Sequence, residues 1–295
     1  RDLHSTSRRQ RQMCIRDSNY TERYIKNIKP VIGEMPLSDV KPLHCQKIFY
    51  DMADQEYRTS TIYQARIAVY NMFEYAKENE VLCSNPCKKS VKSDMGKPSE
   101  KKVALTRDIQ KTFLQYAEDQ SYENQYRFIL QTGLRTGELV GLKWEDVDFQ
   151  HKVLRIRRTV QRITSANGNR KTKIVISAPK SATSFREIAI PDMLMKYFEM
   201  FRDKADYFIL SGADKPVEPR TMQYRYKKIL QSAEVENHNY HKLRHTFATN
   251  SAENGFNVKA LSAVLGHSSV TLTLNRYIHP DRTYERRLMN MCMKL

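Results

Sequence analysis

The chain has 295 residues, and at about one domain per 150 residues it can form two compact units, each with its own core. Hydrophobic residues make up 40%, which excludes a disordered chain, and 50 Lys and Arg against 33 Asp and Glu leave a formal charge of +17 that attracts polyanions. Nucleic acid is therefore the first partner to expect, and with neither an apolar run of about eighteen residues nor a secretion signal, a membrane partner is not expected and a cytoplasmic location is.

In chain order, residues 1–18 (RDLHSTSRRQRQMCIRDS) are basic and without apolar period, and read as an unstructured lead-in; the string CIRDS resembles translated sequencing-adapter remnants. Residues 19–92 form a helical domain. Ile48, Phe49, Met52 and Ala53, then Ile62, Ala65, Ile67, Val69, Tyr70, Met72, Phe73 and Ala76, recur at spacings of about three and four, and Lys-Pro at 29 and 41 and Asn-Pro at 85 mark breaks. The Lys-rich stretch KKSVKSDMGKPSEKK contains Gly96 and Pro98, lacks an apolar stripe and reads as an exposed linker, with the boundary placed at 93–104.

The second domain, 105–295, opens on Thr106 as N-cap of RDIQKTFLQYAE, and a second helix, YENQYRFILQTG, ends near Gly133. The period then changes. VLRIRRTV, KIVISA and FREIAI carry β-branched residues in strand-like order, joined by SANGNRKT and PKSAT, and predict one three-stranded antiparallel sheet. Helical patterns return at PDMLMKYFEMFRDK, at TMQYRYKKILQSA and from His241 onward. The expected class is mainly α with a small antiparallel sheet (α+β).

The five cysteines are scattered and odd in number, so they read as reduced thiols, and Cys83 and Cys87 lack the second pair that a zinc site needs. His241 and His245 are one helical turn apart, but Lys242 stands where a zinc-protease motif has Glu, so no metal is expected.

The most informative stretch runs from 241 to 279. Three residues apart on a helix, His241 and Arg244 share a face near the helix N-terminus, where both can donate to a phosphate. His-x-x-Arg at 241–244, Leu-Gly-His at 265–267 and Tyr277 ten residues beyond resemble the C-terminal signature of tyrosine recombinases, the phage-integrase family. TGLRTGELVGLKWEDVD, with Arg135, resembles that family's first arginine box, and Lys180 in APKSATSFREIAIP is similar to its β-hairpin lysine. The ten-residue His-to-Tyr spacing looks most like integrases of conjugative transposons and related elements.

The resemblance, over roughly 19–290, implies a helical core-binding domain, shortened at its start, and a catalytic domain of the DNA breaking-rejoining fold. Tyr277 is then the nucleophile of a site-specific recombinase, forming a 3′-phosphotyrosine without cofactor, metal or ATP. Arg135 and Arg244 would hold the non-bridging oxygens with His267, because attack adds charge to the phosphate. His241 would take or relay the tyrosine proton, Lys180 would protonate the departing 5′ oxygen, and Glu138 would orient an arginine rather than form a surface ion pair. Lys88, Lys89, Lys92, Lys97, Lys101 and Lys102 are the expected backbone contacts of the linker. The resemblance further implies a homotetramer on paired DNA sites, with the apolar tail after Tyr277 docked on a neighbour or, equally, packed on its own domain, an excisionase or host DNA-bending protein as helper, and association with the bacterial nucleoid. Two other readings fit parts of the chain: VKALSAVLGHSSVTLTLNRY as the helix-turn-helix of a non-catalytic regulator, and the same catalytic groups in a type IB topoisomerase.

Overall fold

Helical periodicity marks the described part of the first unit, and the computed structural model turns it into helices stapled by apolar stripes. The structure describes residues 24–89, 95–98, 104–119, 123–164, 172–178, 185–267, 269–277, 286 and 289–290, and for Tyr24, Ile25, Lys89, Glu123, Thr164, Asn275, Arg276 and Tyr277 the backbone only. The lead-in 1–18, Lys92, Lys101, Lys102, Lys180 and most of the tail after Tyr277 lie outside the described residues. The chain divides into two compact units, the first running to Lys101 and the second starting at Lys102, residues 164–171 aside.

In the first unit a short helix α1 (Lys29–Ile32) precedes α2 (Pro42–Asp54) and α3 (Thr59–Glu78). Pro42 opens α2 because a first-turn residue needs no N–H partner and its φ is already helical. Cys45, Ile48, Phe49 and Met52 of α2 meet Ile62, Ala65, Val69 and Phe73 of α3 in one core, each large side chain worth roughly 1.5–3 kcal/mol of burial. Cys45 and Cys87 are both fully buried in that core, and a hydrogen bond with Cys87, reinforced by burial, pushes the Cys45 thiol far up, so it stays neutral.

The stretch expected as an exposed linker is in part docked. Met95 packs against the first core, and Lys97 bridges to the start of α3, its N–H donating to the Tyr57 carbonyl at 3.0 Å and its carbonyl accepting from Thr59 N–H at 2.9 Å. Gly96 makes this approach feasible: its φ is +90°, and a Cβ there would stand 2.4 Å from the Tyr57 carbonyl oxygen.

The second unit is mostly helical. Helix α4 (Arg107–Asp119) starts on Thr106, whose hydroxyl accepts from Ile109 N–H at 3.4 Å, and α5 (Glu123–Thr132) ends on Gly133 at φ +63°. After the single turn α6 (Thr136–Leu139) come strands β1 (Val147–Asp148), β2 (Val153–Ile156), β3 (Thr159–Thr164), β4 (Thr172–Ser177) and β5 (Arg186–Ala189). Helices α7 (Asp192–Met200), α8 (Pro219–Ser232), α9 (His241–Glu253), α10 (Val258–Leu265) and α11 (Val270–Tyr277) complete it. Its core gathers Phe113, Tyr126, Phe128, Phe198, Tyr226 and Leu243 with the inward residues of the sheet.

The sheet differs from the one predicted. VLRIRRTV is two strands, not one: β2 pairs antiparallel with β1 and β5, whereas β3 pairs with β4 in a separate two-stranded sheet among the described residues. The break falls at Arg158, which is drawn out of strand alignment to the loop before β1, donating to Asp146 at 2.7 Å and to Glu145. Asp146 is fully buried, so Arg158 cannot leave it without stranding a charge.

Candidate active site

The end of α10 organises the site. Gly266 adopts φ +62°, which favours glycine, and turns the chain so that Gly266 N–H returns to the Ala263 carbonyl at 3.0 Å and His267 N–H to the Ser262 carbonyl at 3.1 Å. That closure serves two of the helix's last carbonyls, and the next three accept from arginines that arrive from three other elements. Arg186 Nε donates to Val264 O at 2.6 Å, Arg244 Nη2 to Leu265 O at 2.6 Å, and Arg135 Nη2 to Gly266 O at 2.9 Å. The negative end of the helix dipole favours these cations. Arg244 also donates to Gly133 O at 2.8 Å, at the end of α5, and is 1% exposed. The Arg135 side chain is 38% exposed, so it is the one of these two arginines that meets solvent.

Arg135 precedes α6 as its N-cap, and Glu138 three residues on accepts from Arg135 N–H at 2.9 Å and from Arg135 Nη1 at 2.7 Å. Glu138 is buried and is held from the other side by Arg186, at 3.0 and 2.9 Å to its two oxygens. Burial by itself would raise the Glu138 pKa, but the hydrogen bonds and charge of Arg186, followed by Arg135, outweigh it and bring the carboxyl down to about 2. A buried pair joined to a second arginine is more than a surface i,i+3 contact.

His241 starts α9, its N–H donating to Asn239 Oδ1 at 2.9 Å, and its ring stands edge-on to that of buried His245, centroids 5.0 Å apart. His267 follows Gly266 directly, and its Nδ1 is 2.8 Å from the hydroxyl of Thr273 on α11. Tyr277 is the last residue of α11. The structure thus brings together Arg135, Glu138, Arg244 and His267 around one helix end, with His241 on the same turn of α9 as Arg244.

A model of the phage integrase family matches residues 104–283, and one of the family's N-terminal SAM-like domain matches residues 19–53. The chain belongs to the phage integrase family. As a tyrosine recombinase it breaks and rejoins DNA strands. It is 30% identical to the tyrosine recombinase XerC-like protein of Caldanaerobacter subterraneus subsp. tengcongensis over 90% of this chain and 73% of that protein. It is 24% identical to the transposase from transposon Tn916 of Enterococcus faecalis over 94% of this chain and 73% of that protein. Among solved structures, the Tn1549 transposon integrase in complex with transposon right end DNA is 25% identical with a TM-score of 0.77, over 94% of this chain and 93% of that one.

Within this tyrosine recombinase the end of α10 holds Arg186, Arg244 and Arg135 by its last carbonyls. Arg186 is the site residue that sequence reasoning passed over. The signal was present: in FREIAI the apolar phase is Ile188 and Ile190, so a period of two turns Arg186 inward as well. An arginine on the buried phase of a strand demands an acidic partner. Of the linker lysines, Lys88 is exposed, and Lys97 is exposed but paired with Glu56 at 2.9 Å.

Proposed function

We propose that this chain integrates or excises a mobile element by cutting DNA at specific sites, with Tyr277 as the nucleophile. The observation that carries the reading is the convergence of Arg135 and Arg244 on adjacent carbonyls, Gly266 and Leu265, immediately before His267. Two fixed cations and an imidazole there form a preorganised seat for a phosphate, and preorganisation is what a charge-gaining transition state rewards. Arg135 meets one non-bridging oxygen from the solvent side. Arg244 lends its field from the inner wall, and its contact with the second oxygen forms in the DNA complex.

Tyr277 Oη attacks the phosphorus of double-stranded DNA and passes its proton to the imidazole of His241. The 5′ oxygen departs with a proton from Lys180, leaving a 3′-phosphotyrosine. The new ester keeps the phosphodiester's energy, so attack by another 5′-hydroxyl restores the strand and the tyrosine. Glu138 orients Arg135. Residues 19–92 form the core-binding domain, 93–104 the linker and 105–295 the catalytic domain; Lys88, Lys89, Lys92, Lys97, Lys101 and Lys102 lie on backbone phosphates, so affinity falls as salt rises. The resemblance supports four protomers on two DNA sites, an excisionase or DNA-bending helper, and work on the bacterial nucleoid.

The test is a randomised library of nicked duplexes in which cleavage is trapped. A protein-DNA adduct that survives denaturation and maps to Tyr277 supports the reading. Relaxation of any plasmid without strand exchange points to a topoisomerase instead, and DNA binding without adduct to a non-catalytic regulator.

A further inference from the structure

We propose that Arg186 is a positioning residue for strand cleavage: by taking up the charge of Glu138 it leaves Arg135 a cation available to the DNA phosphate. The inference rests on the reading above for what Arg135 does, and on geometry for how Arg186 acts. One carboxylate lies between two guanidinium groups, with Glu138 Oε1 accepting from Arg135 at 2.7 Å and from Arg186 at 3.0 Å, and Oε2 from Arg186 at 2.9 Å. The cluster carries a net charge of +1. Without Arg186 the remaining pair would sum to zero, and Arg135 would face its phosphate as half of a neutral ion pair.

The placement of Arg186 fits this role. It stands opposite Ile156 in the register of β2 and β5, on the buried face that Leu154 and Ile188 share, and its side chain is only 6% exposed. Its Nε is fixed by Val264 O at 2.6 Å, and a Cβ at Gly266 would come within 3.0 Å of its Nη1. Arg186 is thereby tied both to Glu138, which holds Arg135, and to the helix end on which Arg135 and Arg244 rest. Enclosed in this way, it acts on the phosphate through Arg135.

The experiment compares the full chain with Arg186→Gln, Arg186→Lys and the double variant Arg186→Gln with Glu138→Gln. Two readouts are used: single-turnover cleavage of trapped duplexes, and labelling of Arg135 by phenylglyoxal in DNA-free protein, followed by peptide mass. Arg186→Gln is expected to cleave about a hundredfold slower with DNA affinity within about twofold, and to label Arg135 several-fold more slowly. The double variant removes the uncompensated carboxylate and is expected to recover part of both rates. Arg186→Lys keeps a cation and is expected to label as wild type does, which maintains the comparison if Arg186→Gln does not fold. A merely structural role predicts the reverse order, with the double variant no faster than the single one. That order, or Arg135 labelling indifferent to residue 186, overturns the proposal. The expected labelling pattern in a protein that forms no adduct sinks the cleavage reading and supports the positioning of Arg135.

Discussion

Arg244 and Leu265 are joined by a 2.6 Å hydrogen bond from the guanidinium Nη2 to the last carbonyl of α10, and the same guanidinium donates to Gly133 at the end of α5. One fully buried cation thus closes two helix C-termini, where unpaired carbonyls and helix dipoles both call for positive charge. The arginine's charge is held in place before any DNA arrives, so in the proposed mechanism its field acts on the phosphate from the outset.

Arg244→Lys keeps the charge but loses the fork that spans the two carbonyls. Leaving one buried carbonyl without its donor costs about 1–3 kcal/mol, and cleavage should fall by about 10² to 10³ while DNA affinity changes little. Denaturant melts, band shifts and single-turnover cleavage on one preparation check the three parts.

Gly266→Ala tests the turn. A left-handed φ of +62° costs an L-residue about 1–2 kcal/mol, and the added methyl would stand 3.0 to 3.2 Å from the Arg186 guanidinium. The melting temperature should drop by several degrees, and cleavage should fall at least tenfold at temperatures where the variant is fully folded.

Acid sensitivity follows from Glu138. Its pKa is about 2 when folded against 4.5 ordinarily, a depressed value, so its ionised form stabilises the fold fully above about pH 4.5 and loses that contribution as pH falls through about 2. The difference corresponds to roughly 3 kcal/mol. Urea melts stepped from pH 7 to pH 2.5 should show this loss in the wild type, and Glu138→Gln should show a shallower acid slope.

Thr246→Val separates folding from chemistry. The Thr246 hydroxyl is buried, accepts from Leu105 N–H at 3.0 Å and donates to the Lys242 carbonyl at 2.9 Å, tying the entry of α4 to α9. The substitution strands the Leu105 N–H and should cost about 1–3 kcal/mol in a melt. Cleavage by the folded fraction should stay within about threefold of wild type, since no side chain of the phosphate seat is touched.

What was legible in the sequence was whatever depends on local pattern. The stripes of α2 and α3, the cap at Thr106 and the stop at Gly133 follow from spacing and backbone preference alone. The sheet is the exception: apolar and β-branched residues flank Arg157-Arg158 on both sides in VLRIRRTV, and the buried Asp146 that draws Arg158 out of the strand lies on another element. Gly96 and Lys97 read as linker because their partners, Tyr57 and Thr59, lie far back in the chain. In the site, Arg135, Arg244 and His267 are marked by motif, whereas their common support, three carbonyls at the end of one helix, is a backbone property that side-chain spacing does not display. Arg186 was visible as a charge on the apolar phase of FREIAI, but its partner Glu138 lies 48 residues away.

The most direct test of the central claim is peptide mapping of the covalent adduct formed on nicked duplexes, run beside Tyr277→Phe. The account predicts a phosphotyrosine at Tyr277 in the wild type and no adduct from Tyr277→Phe, which should bind DNA with unchanged affinity. An adduct formed by Tyr277→Phe, or mapped to another tyrosine, would contradict it.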